Sequence, residues 1–432
     1  MSEPQAETII RGRDLLRLRD FRYLWLGQIV SNFGDALTHL TLVLYINRLT
    51  SGDTQAIAWL LIALAIPTAT IGLVAGVFVD RWDRKRVMVV SDMLRGFLTF
   101  GLVLAVTTNQ LWLIYGLAFC HASVGAFFAP ARSAVIPLIV PKDGLLAANS
   151  LSQMSAVFFR VLGTAVAGVL VGTLNAFNLA FVMDAFTFFL SAVFISQVVL
   201  PKQDELETAV SPTISAILSE LKEGVLLVAG SRVLLGILVA ISVTMLGLGA
   251  VNVLLAPFVV NDMGLPETWF GALEFAQSAA MILSGMFITA LASRFKPTTI
   301  ISVGLILLGL VFAWFSRASN LWQLFPLMFL IGLASTPINA GIATTMQTSV
   351  SNDILGRVSA ALHAVINTTS LVSMFLAGSL AAFMGVRNVF LLAGVLVVVA
   401  GVASWQIFKG YQPPQEETQE SINQPVVEGS TS

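Results

Sequence analysis

The chain has 432 residues and a formal net charge of −1, and 56% of its residues are hydrophobic while only 11% are charged. With a mean hydropathy of +0.87, this composition excludes an ordinary soluble globular protein and indicates a helical protein that crosses a membrane many times. The single cysteine, Cys120, excludes an intramolecular disulfide. Because it lies within an apolar run, we expect it to pack as a small buried hydrophobic residue.

Twelve apolar runs are long enough to cross a bilayer, which takes about 20 residues per crossing. The first run is too long for the core of a cleavable signal peptide, so we expect it to be retained as a span. The predicted spans are 22–47, 56–79, 87–107, 111–131, 147–173, 179–200, 233–260, 267–292, 298–316, 322–349, 358–384 and 388–408.

Basic residues mark one side of the predicted membrane. If successive spans alternate in direction, 18 of the 23 lysines and arginines fall on the side that holds both termini. By the positive-inside rule this side is the cytoplasm. The sequence therefore predicts a multi-pass protein of the inner (cytoplasmic) membrane with both termini in the cytoplasm.

The chain is predicted to divide into two six-helix halves, 22–200 and 233–408, after a basic cytoplasmic N-terminus at 1–21. The linker 201–232 carries apolar residues at helical spacing among charged ones, which predicts an amphipathic helix at the cytoplasmic surface. Residues 409–432 are polar and are expected to form a disordered cytoplasmic tail.

A short charged loop joins the second and third predicted spans. The seven residues from Asp80 to Arg86 carry six charges, and charges are too costly in hydrocarbon, so the loop must turn at a membrane surface. The spacing Gly76-x-x-x-Asp80-Arg81-x-x-Arg84-Lys85-Arg86 resembles the loop between the second and third helices of the major facilitator superfamily. The resemblance implies an all-α polytopic membrane protein with twelve transmembrane helices in two six-helix halves.

Further segments resemble one branch of that superfamily, the drug:proton antiporters that include macrolide-efflux and enterobactin-export proteins. These segments are Val89–Gly96, Phe127–Pro137, Leu146–Leu151, Asp184–Ala192 and Gly356–Val358. One departure lies in the fifth span, where Gly163-Thr164 stands in place of the Gly-Pro pair often found at a kink associated with antiport. Small residues at this point still allow close helix contact.

The resemblance also implies a conformational latch at the charged loop. Asp80 is expected near the N-terminus of the eleventh helix, where the helix dipole favours an anion, with Arg132 as its partner. The latch would hold the cytoplasmic ends of the two halves together in the outward-open state. Its predicted residues are Gly76, Asp80, Arg81, Arg84, Arg86, Asp92, Arg95 and Arg132.

Polar residues form stripes inside several spans. Gln28, Asn32, Asp35 and His39 are spaced by four, three and four residues, so they share one face of the first span and should line a water-filled cavity or another helix. Similar stripes on other spans complete a predicted substrate cavity. Its residues are Gln28, Asn32, His39, Gln277, His363 and Asn367.

Three charged residues within the spans are predicted to couple transport to protons. At about 1.5 Å per residue, Asp35, Arg160 and Glu274 fall at one level of the membrane. A carboxylate in a partly dry cavity holds a proton that a nearby arginine or an arriving cation can expel. A purely structural pairing for Asp35, a structural counter-charge for Arg160 and a wet outer vestibule for Glu274 remain alternatives, and Asp184 is expected to be structural. The three histidines lack the spacing of a metal site.

Together these features predict a secondary transporter that exports an amphipathic small molecule, such as a drug, a macrolide-like compound or a siderophore, by proton antiport. The alternative within transport is a lysophospholipid flippase, since a relative of this branch moves such lipids. An intramembrane enzyme would need a convergent catalytic set and a sensor would need a signalling domain, and the sequence shows neither. We expect no enzymatic activity, no cofactor, no metal and no nucleic-acid partner, and a monomer in the lipid bilayer.

Overall fold

The computed structural model describes residues 12–79, 81–200, 214–350 and 352–409. Twelve of its helices, all except α1 and α8, are long and apolar enough to cross a membrane, which confirms the predicted fold class. A 3₁₀ turn at Lys142–Gly144 precedes α6, and a π-helical turn at Phe258–Asp262 follows α9. The helices are α1 (Gly12–Leu15), α2 (Arg19–Leu49), α3 (Thr54–Val79), α4 (Arg84–Thr108), α5 (Leu111–Ile139), α6 (Leu145–Gly172), α7 (Phe177–Ser196), α8 (Ile214–Gly230), α9 (Arg232–Pro257), α10 (Trp269–Arg294), α11 (Pro297–Phe315), α12 (Leu321–Ser349), α13 (Asn352–Met384) and α14 (Val386–Phe408).

Local sequence features explain where helices begin. The Asp83 side chain accepts a hydrogen bond from the Arg86 backbone N–H at 3.0 Å and so caps α4. α11 begins with Pro297, whose fixed φ and missing N–H suit the first helical position. The predicted spans agree with the helices, although α5 continues to Ile139 rather than ending at residue 131. The helix continues past Arg132 even though Pro130 and Pro137 lie within it, so the end of an apolar run does not by itself mark the end of a helix.

Each half of the chain forms its own bundle. In the first half, α2 packs against α6 and α7, α3 against α5, and α4 against α5 and α7. In the second half, α9 packs against α13 and α14, α10 against α12, and α11 against α12 and α14. The halves meet mainly where α3 crosses α13 and where α6 crosses α10. These four helices therefore border any space between the halves.

The two ends of the bundle differ. We call the end that holds Gly12 and Lys409 the basic side, and the other end the opposite side. On the opposite side the halves touch: Thr54 Oγ1 on α3 donates a hydrogen bond to the Gly378 carbonyl oxygen on α13 at 2.8 Å. A Cβ at Gly378 would lie 2.7 Å from the Ala58 side chain, so only glycine allows this approach.

On the basic side the same helices border open space. A Cβ added at Gly72 or Gly76 on α3 would meet no atom within 4 Å, and the same holds at Gly285 on α10 and Gly356 on α13. The gap between the halves is therefore open toward the basic side and closed toward the opposite side.

The predicted linker helix is present as α8, which packs against the start of α13. Arg357 Nη1 on α13 donates a hydrogen bond to Glu223 Oε2 at 2.6 Å. The remainder of the linker at 201–213, the N-terminal residues 1–11 and the tail at 410–432 lie outside the described residues.

The prediction that Cys120 is buried was wrong, because its side chain is exposed on α5. An apolar run that faces lipid has the same composition as one that faces protein, so hydropathy alone does not separate the two.

Candidate functional site

A cavity of about 680 Å³ lies between the two halves, bordered by α2, α3, α4, α5 and α6 on one side and by α9 and α10 on the other. Apolar residues such as Leu64 and Phe270 form much of its wall. The polar residues that line it are Asn32, Asp35, Thr38, His39, His121, Gln153, Arg160, Thr164, Asn252 and Glu274. The three residues predicted to couple transport to protons are thus brought to one cavity.

Charges of both signs reach this cavity. Asp35 extends from α2 and Glu274 from α10, so each half contributes one carboxylate. Arg160 on α6 is exposed within the cavity, and its positive charge attracts the Glu274 carboxylate. The same positive charge interacts electrostatically with His39, one turn beyond Asp35. The arrangement can hold a cationic group between the carboxylates or an anionic group at Arg160.

Asp35 is paired with Arg95 on α4 rather than with Arg160. Arg95 Nη2 donates a hydrogen bond to Asp35 Oδ1, and the guanidinium carbon lies 4.1 Å from the centre of the Phe188 ring. The Arg95 residue is only 7% exposed. A buried guanidinium needs such a carboxylate, since an unpaired charge inside a protein is costly.

Asp92 and Arg95, which the resemblance assigns to the loop latch, lie two and three turns into α4. Both are buried, and Arg95 Nη1 is 3.6 Å from Asp92 Oδ1. A length of helix separates them from the charged loop, and their part in the latch stays a prediction.

A second, smaller cavity of about 330 Å³ lies within the first half. Asn32 and Asp35 line both cavities, so Asp35 stands where the two spaces meet. The smaller cavity is also lined by His121 and by three predicted site residues, Gln28, Arg95 and Arg132. All four members of the first-span stripe therefore border one cavity or the other.

Other predicted site residues lie elsewhere. Gln277, His363 and Asn367 are not among the residues that line the larger cavity; His363 is exposed, whereas Gln277 and Asn367 are partly buried. In the predicted latch, Arg81 and Arg86 are exposed and Arg84 is partly buried. Asp80 lies outside the described residues, so its pairing with Arg132 stays a prediction.

An ion pair joins the halves on the opposite side. Arg48 at the end of α2 donates to both carboxylate oxygens of Glu267, from Nε to Oε1 at 2.9 Å and from Nη2 to Oε2 at 2.5 Å. Asn175 and the Val171 carbonyl oxygen also accept hydrogen bonds from Arg48. Beside this pair, Asn47 Nδ2 donates to Asn261 Oδ1 at 2.8 Å. These bonds close the opposite end of the gap.

Neither Arg48 nor Glu267 was predicted to be functional. Each is a single charge at the end of an apolar run, and such charges are common where helices leave the membrane. The available indication was scarcity: few basic residues were assigned to that side, so each of them merited attention.

A model of the transmembrane secretion effector family matches residues 14–429, nearly the whole chain. The chain belongs to this family. Among its relatives, macrolide efflux protein A of Streptococcus pyogenes is 22% identical over 389 residues, which is 88% of this chain and 94% of the relative. The uncharacterized MFS-type transporter YkuC of Bacillus subtilis is 24% identical over 354 residues, 80% of this chain and 82% of the relative. The protein is thus a major facilitator transporter.

Solved structures of other transporters share the fold of this chain. The nucleoside transporter NupG superposes with a TM-score of 0.75 at 14% identity, covering 91% of this chain and 99% of the other. A bacterial homologue of the iron transporter ferroportin, in an inward-facing state, superposes with a TM-score of 0.71 at 18% identity, covering 90% and 98%. At these identities the likeness concerns the fold alone.

Proposed function

We propose that this transporter exports an amphipathic small molecule, such as a drug, a macrolide-like compound or a siderophore, across the inner (cytoplasmic) membrane in exchange for protons. The observation that carries the proposal is the cavity between the halves, closed at one end and bordered by one carboxylate from each half. Its volume of about 680 Å³ lies in the range of drug-sized binding sites. The mixture of apolar walls and a few polar groups suits an amphipathic cargo, and macrolide efflux protein A is among the relatives.

Asp35 and Glu274 are proposed to couple transport to protons. Both are acids at the edge of a cavity that is shut off from one side of the membrane, and both lie near an arginine. A proton or a cationic cargo competes with that arginine for the carboxylate. Exposure of the cavity to one side and then the other would therefore load and release a proton in each cycle.

The basic side is proposed to be the cytoplasmic side, because lysines and arginines gather there. The described state is then open to the cytoplasm, ready to accept cargo for export. We further propose that the halves 22–200 and 233–408 rock as units, and that the charged loop at 80–86 with Arg132 latches the cytoplasmic ends when the transporter opens outward.

Everted membrane vesicles test this proposal. Accumulation of ethidium, erythromycin and a catechol siderophore is measured with an imposed pH gradient for the wild type, for Asp35→Asn and for Asp143→Asn. Asp143 is an exposed carboxylate on the basic side and serves as the matched control. Accumulation should collapse with a protonophore and in Asp35→Asn, while Asp143→Asn should behave as the wild type.

Each other outcome revises a different part of the proposal. Accumulation that is indifferent to the pH gradient refutes proton coupling. Accumulation that survives Asp35→Asn but is lost in Glu274→Gln moves the coupling site to the second half. No accumulation of any compound refutes the drug-like cargo and directs the assay to lysophospholipids.

A further inference from the structure

The first half contains more buried negative charge than positive charge. Three carboxylates lie together with one guanidinium: Asp35 on α2, Asp92 on α4 and Asp184 on α7 surround Arg95. Asp92 and Asp184 are 0% exposed. His121 on α5 completes the group; its ring lies 5.3 Å from the Phe188 ring, on which Arg95 also rests.

The single guanidinium is already committed. Arg95 donates a hydrogen bond to Asp35, and it also forms a longer ion pair with Asp92, with an N–O distance of 3.6 Å. Asp92 Oδ2 also accepts a hydrogen bond from Ser191 Oγ at 2.6 Å. Among the described residues, no lysine, arginine or histidine nitrogen lies within 4.0 Å of Asp184.

Asp184 is held tightly against the first helix. A Cβ at Gly34 would overlap Asp184 Oδ1, so the glycine makes room for this carboxyl group directly beside Asp35. Thr187 Oγ1 lies 3.0 Å from Asp184 Oδ1 and 2.7 Å from the Asp184 backbone carbonyl oxygen, so its single hydrogen is shared between these two acceptors. The Thr38 hydroxyl on α2 faces Asp184, but neither Thr38 Oγ1 nor Asp184 Oδ2 has a hydrogen-bond partner of good geometry in the part of the chain that the structure describes.

A carboxylate in this position is not stable as a bare anion. Transfer of an unpaired charge into a protein interior costs several kcal/mol even after relaxation, and a like charge at Asp35 adds repulsion. A proton on Oδ2 removes both penalties. Asp184 was expected from the sequence to be structural, but among the described residues no cationic nitrogen lies within 4.0 Å of it, which argues for a different role.

We propose that Asp184 carries a proton that is exchanged during transport, and that Arg95 moves between Asp35 and the other two carboxylates, Asp92 and Asp184, to load and release it. The inference rests on the proposed proton antiport and assigns its proton site. When a cationic cargo takes over Asp35, Arg95 is released to the other two acids. Asp184 then becomes an anion beside Arg95, and its proton leaves, so one positive charge enters the cluster and one departs.

The neighbouring helices supply the exit route and the other charges that matter. The smaller cavity reaches Asp35, Arg95 and His121, and its water would take up the proton. The titratable and charged groups that face the cluster are Asp35 and His39 on α2, Asp92 and Arg95 on α4, His121 and Arg132 on α5, Arg160 on α6 and Asp184 on α7.

Infrared spectroscopy of the full-length protein in lipid tests the proton directly. A protonated carboxylic acid has a carbonyl stretching band that a carboxylate lacks. The wild type should show this band at neutral pH, Asp184→Asn should lose it, and the control Asp143→Asn should keep it. Thr187→Val should keep the band and shift its frequency, because the hydroxyl beside Oδ1 of the Asp184 side chain is gone. If Asp184→Asn fails to fold, the frequency shift in Thr187→Val still assigns the band to Asp184.

The exchange step is tested with tetraphenylphosphonium, a lipophilic cation. Its addition to weakly buffered wild-type protein should diminish the band and release a proton to a pH indicator, and Asp184→Asn should release none. A wild type without the band, or a band unaffected by both Asp184→Asn and Thr187→Val, overturns the inference. Proton release that persists in Asp184→Asn overturns it as well.

The vesicle assay separates this inference from the proposed function. Vesicles that show pH-driven export while no band belongs to Asp184 overturn the inference alone. A band that belongs to Asp184, together with vesicles that never show pH-driven export, overturns the proposed antiport and leaves the proton on Asp184.

Discussion

The ion pair between Arg48 and Glu267 predicts how the resting conformation can be shifted. Glu267→Gln removes the negative charge but keeps the shape of the side chain. The pair closes the opposite side only in the described state, in which Glu267 is 4% exposed. When that side opens, both groups meet water. The substitution should therefore destabilise the described state and leave the other state nearly unchanged.

The size of the shift follows from the geometry of the pair. Breaking a fully buried ion pair costs about 3–5 kcal/mol, but the Arg48 side chain is 38% exposed, so solvent weakens the interaction. Hydrogen bonds to charged groups contribute about 1.5–3 kcal/mol. We therefore expect a loss of about 1.4–2.8 kcal/mol, which changes the ratio of the two states about 10- to 100-fold.

Distances between two spin labels on the opposite side measure this ratio. The single native cysteine is replaced (Cys120→Ser), and labels are attached at Thr107→Cys in the first half and Ser319→Cys in the second, both exposed positions. Double electron–electron resonance should show a short distance in the wild type and a large gain of a longer distance in Glu267→Gln.

Asp262→Asn is the matched control for this experiment. Asp262 pairs with Arg387 at 2.7 Å on the same side of the protein, but both residues belong to the second half. Loss of that pair should leave the distances unchanged. Identical distributions in the wild type and Glu267→Gln would refute the reasoning, as would an equal shift in Asp262→Asn.

Three further changes have defined outcomes. Asp35→Asn leaves Arg95 with Asp92 at 3.6 Å as its nearest carboxylate, and the lost pair is weakened by solvent because the Asp35 side chain is 39% exposed. The free energy of unfolding should fall by about 1.5 kcal/mol, the low end for a hydrogen bond to a charged group, measured by thermal unfolding in detergent; an unchanged midpoint would contradict the pairing. Gly378→Val should clash at the α3–α13 crossing near Thr54 and lengthen the spin-label distance; a wild-type distance would show that the helices can yield. Asp80→Asn should slow vesicle transport without lowering expression; a wild-type rate would argue against the latch.

The twelve spans could be predicted from the sequence because the bilayer imposes a simple rule. Every backbone polar group in hydrocarbon must be bonded within its own segment, so each apolar run of sufficient length becomes a helix. The stripe from Gln28 to His39 was predicted for a related reason, since polar side chains on one helix face must find water or protein.

The partners of the charged residues could not be predicted in the same way. Counting residues along a helix gives the height of a side chain in the membrane but not which neighbouring helix it faces. Asp35 and Arg160 share a level, yet Asp35 is bonded to Arg95, whose long side chain reaches it from α4. Both α2 and α4 pack against α7, which brings these two helices near each other. The resemblance assigned Asp92 and Arg95 to the loop latch, but it could not show that Arg95 is bonded to Asp35 inside the first half.

The ion pair between Glu223 and Arg357 ties the linker helix to the second half. The linker helix α8 is therefore fixed to α13, one of the helices that contact the other half. A change in the tilt of α13 should move α8 with it. A fluorophore placed on α8 would therefore report the conformational change of the transporter from a site far from its cargo.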